Sequence, residues 1–339
     1  MMRIAINGYG RIGRSVLRAY FERGGSECID LVAINELADA RTICHLTRYD
    51  STHGRFGYPT DLTGQTLIVN DRAIALSHEA DPALCPWREL DIDLVLECTG
   101  VEGGRTTAQW HLEAGAKRLL FSQPATADID ATVVFGINQN FLTPESCVAS
   151  TGSCTTNAIV PVIDALDRAF GVEYGTITTI HSAMNDQPVL DAYHHADLRK
   201  TRSASQSIIP VDTGLAKGVE RLLPHLAGKF TAQALRVPTT NVSAMDLSVL
   251  VAADVDESLV NEALKQAALG YDSVLGFTLE PLASCDFNHD PRSGIVDANQ
   301  TRVSGKRLVK VLIWFDNEWG YANRMLDVAE HWSTILAEV

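Results

Sequence analysis

The sequence has 339 residues, of which 46% are hydrophobic and 21% are charged, and its formal net charge is −14. A chain of this length can bury a large core without disulfides or metals, and at roughly 150 residues per domain it predicts two domains. This composition excludes intrinsic disorder and collagen-like architecture. The negative charge argues against binding the phosphate backbone of nucleic acids, but it is compatible with a small phosphorylated ligand.

The cysteines and the apolar runs indicate the compartment. The 7 cysteines are an odd number and are scattered without a C-x-x-C pair, which favours reduced thiols over disulfides or zinc. The pair His194-His195 has no further ligands at metal-binding spacing, so no metal is predicted. No signal-peptide pattern is present, and no run approaches the ~18 apolar residues of a membrane span. We therefore expect a cytoplasmic protein with no membrane or nucleic-acid partner.

The first 150 residues alternate short Val/Ile/Leu-rich runs with helix-like stretches. The predicted strands are 3–7, 30–35, 93–98, 117–122 and 132–135. Helices are predicted over 15–23 and before Gly115. Nearly continuous apolar strands separated by helices indicate a parallel sheet covered on both faces. The fold class predicted here is α/β, with a doubly wound Rossmann domain that binds a dinucleotide and spans residues 1–153.

Longer runs of alternating polarity follow after about residue 170. They cover 175–181, 233–237, 243–251 and 307–315, with a predicted helix over 256–268. Alternating runs of this kind indicate an antiparallel or mixed sheet. We predict an α+β catalytic domain over 154–316, and a final helical segment, 317–339, that returns to the first domain.

A glycine motif lies between the first predicted strand and the first predicted helix. Gly8, Gly10 and Gly13 form G-x-G-x-x-G, in which the glycines allow a tight turn, close approach of a pyrophosphate and close helix–strand packing. Glu36 follows the second strand at roughly the distance, about 20 residues, expected of a carboxylate that binds a ribose 2′-hydroxyl. This pattern favours NAD over NADP. An ordinary strand–helix turn and a solvated carboxylate are the alternatives.

The segment Ser153-Cys154-Thr155-Thr156-Asn157 precedes an apolar-periodic stretch, 159–170. With Ser153 as the N-cap, Cys154 lies at a helix N-terminus, where the helix dipole favours the thiolate. His181 ends the predicted strand 175–181. A cysteine and a histidine in one site provide an activated nucleophile and a proton acceptor. The alternative is that both are core residues without a chemical role.

The ordered motifs resemble the glyceraldehyde-3-phosphate dehydrogenase family from Ile4 to Asp327. The matching stretches are I-N-G-Y-G-R-I-G-R at 6–14, E-C-T-G at 97–100, S-C-T-T-N at 153–157, S-Q-S-I-I-P at 205–210, R-V-P-T at 236–239 and D-N-E-W-G-Y at 316–321. Among its branches, the chain is most similar to the erythrose-4-phosphate dehydrogenases. The features that match this branch are N-E-L-A-D at 35–39, H-S-A-M at 181–184, I-P-V-D-T at 209–213 and D-F-N-H-D-P at 286–291.

The resemblance implies a role for each matching residue. Cys154 attacks the aldehyde, and His181 activates the thiol and handles the hemithioacetal proton. The implied substrate-binding residues are Ser153, Thr155, Lys200, Thr213, Gly214 and Arg236. The implied cofactor-binding residues are Gly8, Gly10, Arg11, Ile12, Gly13, Glu36 and Asn317. In the second set, Arg11 and Ile12 present backbone N–H groups to the pyrophosphate, and Asn317 matches the residue that holds the nicotinamide carboxamide.

Two departures from the common family pattern affect the substrate pocket. Met184 stands where the glyceraldehyde-phosphate enzymes usually have a phosphate-binding Thr, and Lys200 stands where the family usually has Arg. A lysine lacks the bidentate fork of an arginine, which weakens its hold on phosphate. Glu36 likewise replaces the usual Asp.

The resemblance therefore implies a homotetramer that oxidises a small phosphorylated aldose with NAD. The implied substrate is D-erythrose 4-phosphate, the product is 4-phosphoerythronate, the acyl acceptor is water, and the pathway is pyridoxal 5′-phosphate biosynthesis. Two alternatives stay open: a phosphorylating glyceraldehyde-3-phosphate dehydrogenase, and a catalytically idle protein that binds NAD.

Overall fold

The computed structural model describes residues 1–194, 197–271 and 274–338, and these form two compact units. The first unit comprises Met1–Ser153 and the C-terminal segment from Tyr321, and the second comprises Cys154–Gly320. The predicted α/β fold class, with a Rossmann domain and a second α+β domain, is confirmed.

The first unit contains a nine-stranded sheet and a separate two-stranded ribbon. Its strands are β1 (Met2–Asn7), β2 (Ile29–Asn35), β3 (Tyr49–Asp50), β4 (Gly54–Arg55), β5 (Thr60–Thr63), β6 (Thr66–Val69), β7 (Arg72–Ser77), β8 (Leu94–Glu97), β9 (Arg118–Phe121), β10 (Ala131–Thr132) and β11 (Val148–Ser150). Its first helices are α1 (Arg11–Glu22), α2 (Ala40–Arg48) and α3 (Arg105–Glu113). The order in the large sheet is β10-β11-β9-β8-β1-β2-β7-β6-β5.

The central strands of this sheet are parallel, as their apolar sequences predict. β1 lies between β2 and β8, and Ile4 and Ile6 of β1 are fully buried. A strand that is apolar at successive positions is stable where helices or further core cover both of its faces. The C-terminal ends of β1, β2 and β8 therefore lie side by side at one edge.

Sequence reasoning missed the antiparallel extension β7-β6-β5. β6 and β7 are joined by Asn70 and Asp71, which have φ values of 47° and 64°. Positive φ at both central residues is typical of a type I′ hairpin turn, and Asn and Asp adopt it more readily than most residues. The signal was therefore present in the Asn-Asp pair between two β-rich runs.

The second unit is built on a seven-stranded mixed sheet. Its elements are α4 (Cys154–Phe170), β12 (Val172–His181), β13 (Ile209–Val211), α5 (Leu215–Leu222), β14 (Phe230–Arg236), β15 (Ser243–Val251), α6 (Glu257–Gly270), β16 (Leu275–Thr278), β17 (Gly294–Ser304) and β18 (Leu308–Phe315). The strand order is β13-β14-β12-β15-β18-β17-β16. The last helix, α7 (Trp319–Ala337), follows β18.

Helix α4 extends further toward the N-terminus than its apolar period indicates. It begins at Cys154, as expected with Ser153 as the N-cap, and Pro161 lies in the helix interior. A proline there removes one intrahelical N–H donor and ordinarily destabilises a helix. Burial compensates in this case, because Ile159, Val160 and Val162 around the proline are fully buried.

Candidate active site and cofactor site

The glycine motif forms the turn between β1 and α1. Gly8 has φ +86°, and a Cβ at this position would lie 2.7 Å from the backbone nitrogen of Thr99. A Cβ on Gly13 would lie 2.2 Å from the carbonyl oxygen of Gly8, whereas a Cβ on Gly10 would meet nothing within 4 Å. Gly8 and Gly13 thus close the turn, and Gly10 leaves open space at its outer side. This arrangement fits the close approach of a pyrophosphate.

Helix α1 begins directly after this turn, at Arg11. The first N–H groups of a helix have no intrahelical acceptor, so Arg11 and Ile12 supply backbone donors for an anion. The side chain of Arg11 is engaged elsewhere, in a two-point ion pair with Asp50. Arg11 can therefore contribute its backbone N–H group, but not its side chain, to binding of the pyrophosphate.

Glu36 lies against the glycine turn. One carboxylate oxygen accepts a hydrogen bond from the backbone N–H of Tyr9 at 2.7 Å, and the other accepts from Leu37 at 2.7 Å and Ala38 at 3.3 Å. A carboxylate oxygen has two lone pairs, so this pattern leaves acceptor capacity for a ribose hydroxyl. It also places a negative charge beside the turn, which suits NAD better than NADP.

A buried polar ladder below the turn was missed by sequence reasoning. Asn7 of β1 is in register with Asn35 of β2 and with Glu97 of β8. The amide of Asn35 donates to Asn7 at 2.8 Å, and the amide of Asn7 donates to Glu97 at 2.5 Å. The available signal was a polar residue at the end of each of these apolar strands. The ladder ties together the strand ends that carry the glycine turn.

Glu97 remains a carboxylate although it is fully buried. Burial by itself raises its pKa, but hydrogen bonds from His111, Thr99 and Asn7 outweigh that effect and hold the pKa of Glu97 below its usual value. The buried charge strengthens these hydrogen bonds, because charge-assisted bonds are stronger than neutral ones.

The candidate catalytic pair lies in the second unit. Cys154 is the first residue of α4 and His181 is the last residue of β12. The Cys154 Sγ atom is 3.8 Å from His181 Nε2, and His181 Nδ1 is 2.9 Å from the carbonyl oxygen of Ser182. Since a carbonyl only accepts, Nδ1 carries the proton and Nε2 presents its lone pair to the thiol. The pair is thus oriented for transfer of the thiol proton to His181.

Burial opposes the preference for the thiolate that the helix N-terminus gives Cys154. Burial raises the pKa of the Cys154 thiol to about 11, although Arg236 and the N–H groups at the start of α4 lower it. Burial and, to a smaller extent, the charge of Arg236 lower the pKa of His181 to about 4. At neutral pH the resting pair is therefore a thiol beside a neutral imidazole, and His181 is free to act as a general base.

Arg236 adjoins this pair and is half-buried. It is in register with His181, because β14 and β12 pair in parallel. Its guanidinium has no hydrogen-bond or salt-bridge partner within residues 1–194, 197–271 and 274–338, and its Nε atom is buried. A partly desolvated cation without a partner is unfavourable unless an anion binds beside it. This site is suited to a phosphorylated substrate.

Lys200, the other predicted cation of the substrate site, is paired with a carboxylate. Lys200 Nζ lies 2.7 Å from the Asp186 carboxylate. Burial raises the pKa of Asp186, but Lys200 and, to a smaller extent, the charge of Arg236 outweigh burial and lower that pKa. Met184, two residues before Asp186, is 44% exposed and supplies no hydroxyl group. The positive charge of Lys200 is therefore largely neutralised before any ligand binds.

The remaining residues that were predicted to bind substrate lie at the starts of helices. Ser153 immediately precedes α4, and Thr155 is the second residue of that helix. Thr213 and Gly214 immediately precede α5. Helices α4 and α5 pack together, since a Cβ on Gly218 of α5 would lie 2.7 Å from the Thr156 methyl group of α4. The N-terminal end of each helix favours anions.

Asn317 lies two residues after β18, and two hydrogen bonds hold its side-chain amide. Its Oδ1 atom accepts hydrogen bonds from the hydroxyl groups of Ser182 at 3.0 Å and Ser243 at 2.8 Å. Ser182 is the same residue whose carbonyl holds His181. Sequence reasoning placed no role on either serine, because their partners are more than fifty residues away in the chain.

Metal-binding and membrane-spanning features were also sought in the described part of the chain. Within it, no group of three or more His, Cys, Asp or Glu side chains is arranged to hold a metal ion, and His195 of the His194-His195 pair lies outside it. None of the helices described there is long and apolar enough to cross a membrane.

Comparison with known families agrees with this geometry. Residues 2–105 match the family model described as glyceraldehyde 3-phosphate dehydrogenase, NAD binding domain. Residues 153–317 match the model described as glyceraldehyde 3-phosphate dehydrogenase, C-terminal domain. The first match covers the glycine turn and Glu36, and the second covers Cys154, His181, Arg236 and Asn317. The chain therefore belongs to the glyceraldehyde-3-phosphate dehydrogenase family, and it is an NAD-dependent oxidoreductase that acts on aldehydes.

Proposed function

We propose that this enzyme oxidises D-erythrose 4-phosphate to 4-phosphoerythronate and that water releases the product. The observation that carries the proposal is the cluster of Cys154, His181 and Arg236: a thiol 3.8 Å from an imidazole nitrogen, beside a guanidinium with no partner in the described residues. Such a cluster supports covalent attack on an aldehyde that carries an anionic group. The product is a precursor suited to pyridoxal 5′-phosphate biosynthesis, as the branch resemblance implies.

The chemistry begins with addition of the Cys154 sulfur to C1 of the aldehyde. His181 Nε2 takes the thiol proton as the C–S bond forms and returns it to the carbonyl oxygen, which gives a hemithioacetal. Bound NAD supplies an acceptor for the hydride that leaves C1. His181 takes the hydroxyl proton in the same step, so the carbon becomes a thioester. Arg236 holds the phosphate and thereby limits the motion of the reacting carbon.

Water completes the reaction. His181, once it has lost its proton to solvent, removes a proton from a water molecule as that water attacks the thioester. The C–S bond breaks, the acid leaves and Cys154 recovers its proton. The overall conversion consumes one aldehyde, one NAD⁺ and one water and forms one carboxylate, one NADH and two protons.

The cofactor-binding residues that we assign fit NAD as described above. Gly8, Gly10 and Gly13 shape the turn, Arg11 and Ile12 supply backbone donors, and Glu36 accepts from the ribose. Asn317 directs its amide nitrogen to the nicotinamide carboxamide.

Two features of the site support erythrose 4-phosphate and water over glyceraldehyde 3-phosphate and inorganic phosphate. Met184 supplies no hydroxyl group where the shorter substrate's phosphate would need one, and loss of a hydrogen bond to a charged group costs ~1.5–3 kcal/mol. Lys200 is paired with Asp186 at 2.7 Å, so an attacking phosphate must compete with a carboxylate for its charge. Water meets neither obstacle.

A phosphorylating glyceraldehyde-3-phosphate dehydrogenase is the second candidate. It is favoured by the start of α5, where Thr213 and Gly214 immediately precede backbone N–H donors suited to a phosphate ion. This candidate uses the same Cys154 and His181 but a different acyl acceptor.

Steady-state NADH production on D-erythrose 4-phosphate, with inorganic phosphate omitted and then added, separates the two functions. We expect full activity without phosphate and a lower kcat/KM on glyceraldehyde 3-phosphate. The variant Met184→Thr combined with Lys200→Arg is expected to shift the preference toward glyceraldehyde 3-phosphate. If activity vanishes without phosphate and an acyl phosphate accumulates with it, the phosphorylating function replaces the proposed one.

We also propose that the enzyme is a homotetramer. Within residues 189–194 and 197–198, four large apolar side chains are exposed: Val189 at 76%, Leu190 at 71%, Tyr193 at 89% and Leu198 at 84%. Clustered exposed apolar residues commonly mark protein interfaces. Light scattering on the purified enzyme measures the oligomeric mass, and a monomeric mass contradicts the proposal.

A further inference from the structure

The hydroxyl groups of Ser182 and Ser243 both contact the side-chain amide of Asn317. Ser182 and Ser243 are 0% and 1% exposed, and their hydroxyl oxygens lie 3.0 Å and 2.8 Å from Asn317 Oδ1. The three residues come from three places in the chain: the residue after β12, the first residue of β15 and the residue two after β18.

The hydrogen-bond inventory allows one orientation of this amide. The Ser243 hydroxyl oxygen already accepts from the backbone N–H of Ser182 at 3.1 Å, and its proton points to Asn317. Neither hydroxyl has another acceptor among the described residues. Rotation of the amide by 180° would face its NH2 group toward both serines and leave two buried hydroxyl protons without acceptors. Unsatisfied buried donors are costly, so Oδ1 stays on the serine side.

The opposite side of the amide is consequently a donor. Asn317 Nδ2 donates to no residue in the described part of the chain, and Asn317 is partly exposed. We propose that Ser182 and Ser243 are positioning residues that hold Asn317 with its NH2 group directed to a carbonyl acceptor, the nicotinamide carboxamide. This inference rests on the role of Asn317 in the proposed function.

Ser182 links this arrangement to the general base. Its carbonyl oxygen accepts from His181 Nδ1 at 2.9 Å, while its hydroxyl group donates to Asn317. One residue thus fixes both the tautomer of His181 and the direction of the Asn317 amide. Replacement of its side chain removes the second contact and leaves the first, because the carbonyl belongs to the backbone.

The variants Ser182→Ala and Ser243→Ala test the inference through equilibrium binding. Loss of one neutral hydrogen bond of this kind raises a dissociation constant by roughly 3- to 10-fold. We expect the Kd for NAD⁺ to rise by that factor in each variant, whereas the Kd for ADP-ribose, which lacks the nicotinamide ring, stays within about twofold. Ser248→Ala, on β15 but outside this contact, is the matched control and is expected to change neither Kd.

A second readout separates positioning from general damage to the site. The rate of Cys154 alkylation by iodoacetamide as a function of pH reports the Cys154–His181 pair without any cofactor. We expect it to be unchanged in Ser182→Ala, because the contact of His181 with the Ser182 carbonyl remains. If alkylation and NAD⁺ affinity change together, the hydroxyl supports the site as a whole and the positioning role is wrong.

Asn317→Ala distinguishes failure of this inference from failure of the role it rests on. If Asn317→Ala weakens NAD⁺ but the serine variants do not, the serines do not position the amide. If Asn317→Ala leaves NAD⁺ affinity unchanged, Asn317 does not hold the carboxamide and the serine assignment falls with it. None of these measurements uses an aldehyde, so they are independent of the choice between erythrose 4-phosphate and glyceraldehyde 3-phosphate.

Discussion

Replacement of Arg236 by methionine tests how the enzyme selects a phosphorylated aldehyde. The guanidinium has no hydrogen-bond or salt-bridge partner in the described residues, so its removal breaks no such bond there, and methionine keeps much of its apolar volume. Loss of one charge-assisted hydrogen bond to a phosphate costs ~1.5–3 kcal/mol, or about 10- to 150-fold in kcat/KM. We expect a loss in this range on D-erythrose 4-phosphate. The loss on unphosphorylated D-erythrose is expected to be several-fold smaller.

The same substitution has a second, separable effect on the catalytic pair. Arg236 lowers the pKa of both the Cys154 thiol and His181, after the larger effects of burial. Without this charge both pKa values rise, so His181 becomes protonated at a higher pH than in the wild type. The acid limb of the kcat/KM profile therefore moves to higher pH on both aldehydes.

NADH absorbance with the two aldehydes, over a range of pH, measures both effects. Arg168→Met is the control. The Arg168 side chain is 70% exposed on α4, it pairs with Asp164 of the same helix, and no role in the reaction is assigned to it. Equal losses on D-erythrose 4-phosphate and D-erythrose would refute the phosphate-binding role. In that case Arg236 acts only through its field on Cys154 and His181.

Three further results are expected. Cys154→Ala reduces NADH production below ~1% of wild type, because it removes the nucleophile, and calorimetry should find NAD⁺ affinity within a few-fold; higher residual turnover would rule out covalent catalysis by this residue. His181→Gln lowers kcat/KM by ~10²–10⁴ and makes the rate climb with pH toward the thiol pKa of about 11, whereas a profile parallel to wild type would mean that His181 is not the base. NAD is preferred over NADP by at least ~100-fold in kcat/KM, and Glu36→Gln reduces this ratio because it removes the charge that repels a 2′-phosphate; similar use of both cofactors by the wild type would show that Glu36 does not approach the ribose.

Local patterns were sufficient for the class of fold. The parallel strands of the first unit are apolar throughout, the strands of the second alternate, and these two patterns correspond to two-sided and one-sided burial. The glycine motif was also predicted correctly from the sequence. Its glycines are required locally, because a side chain on Gly8 or Gly13 would have no room. The β6–β7 hairpin was missed although its Asn-Asp turn was visible.

Tertiary structure decided the electrostatics of the site. The sequence determined that Cys154 begins a helix, but the burial that raises its thiol pKa to about 11 comes from residues distant in the chain. The sequence likewise places a positive charge at Lys200, but it does not show that this charge is paired with the Asp186 carboxylate.

Hydrogen-bond partners across strands were also beyond the sequence. The contact of Ser182 and Ser243 with Asn317 depends on the side-by-side order of β12, β15 and β18, and strand order is set by the global packing of the sheet. Periodicity reports which face of an element is buried, because that requires only local spacing. It carries no information on which distant polar group lies opposite, and it is that pairing which orients Asn317 and His181 in this protein.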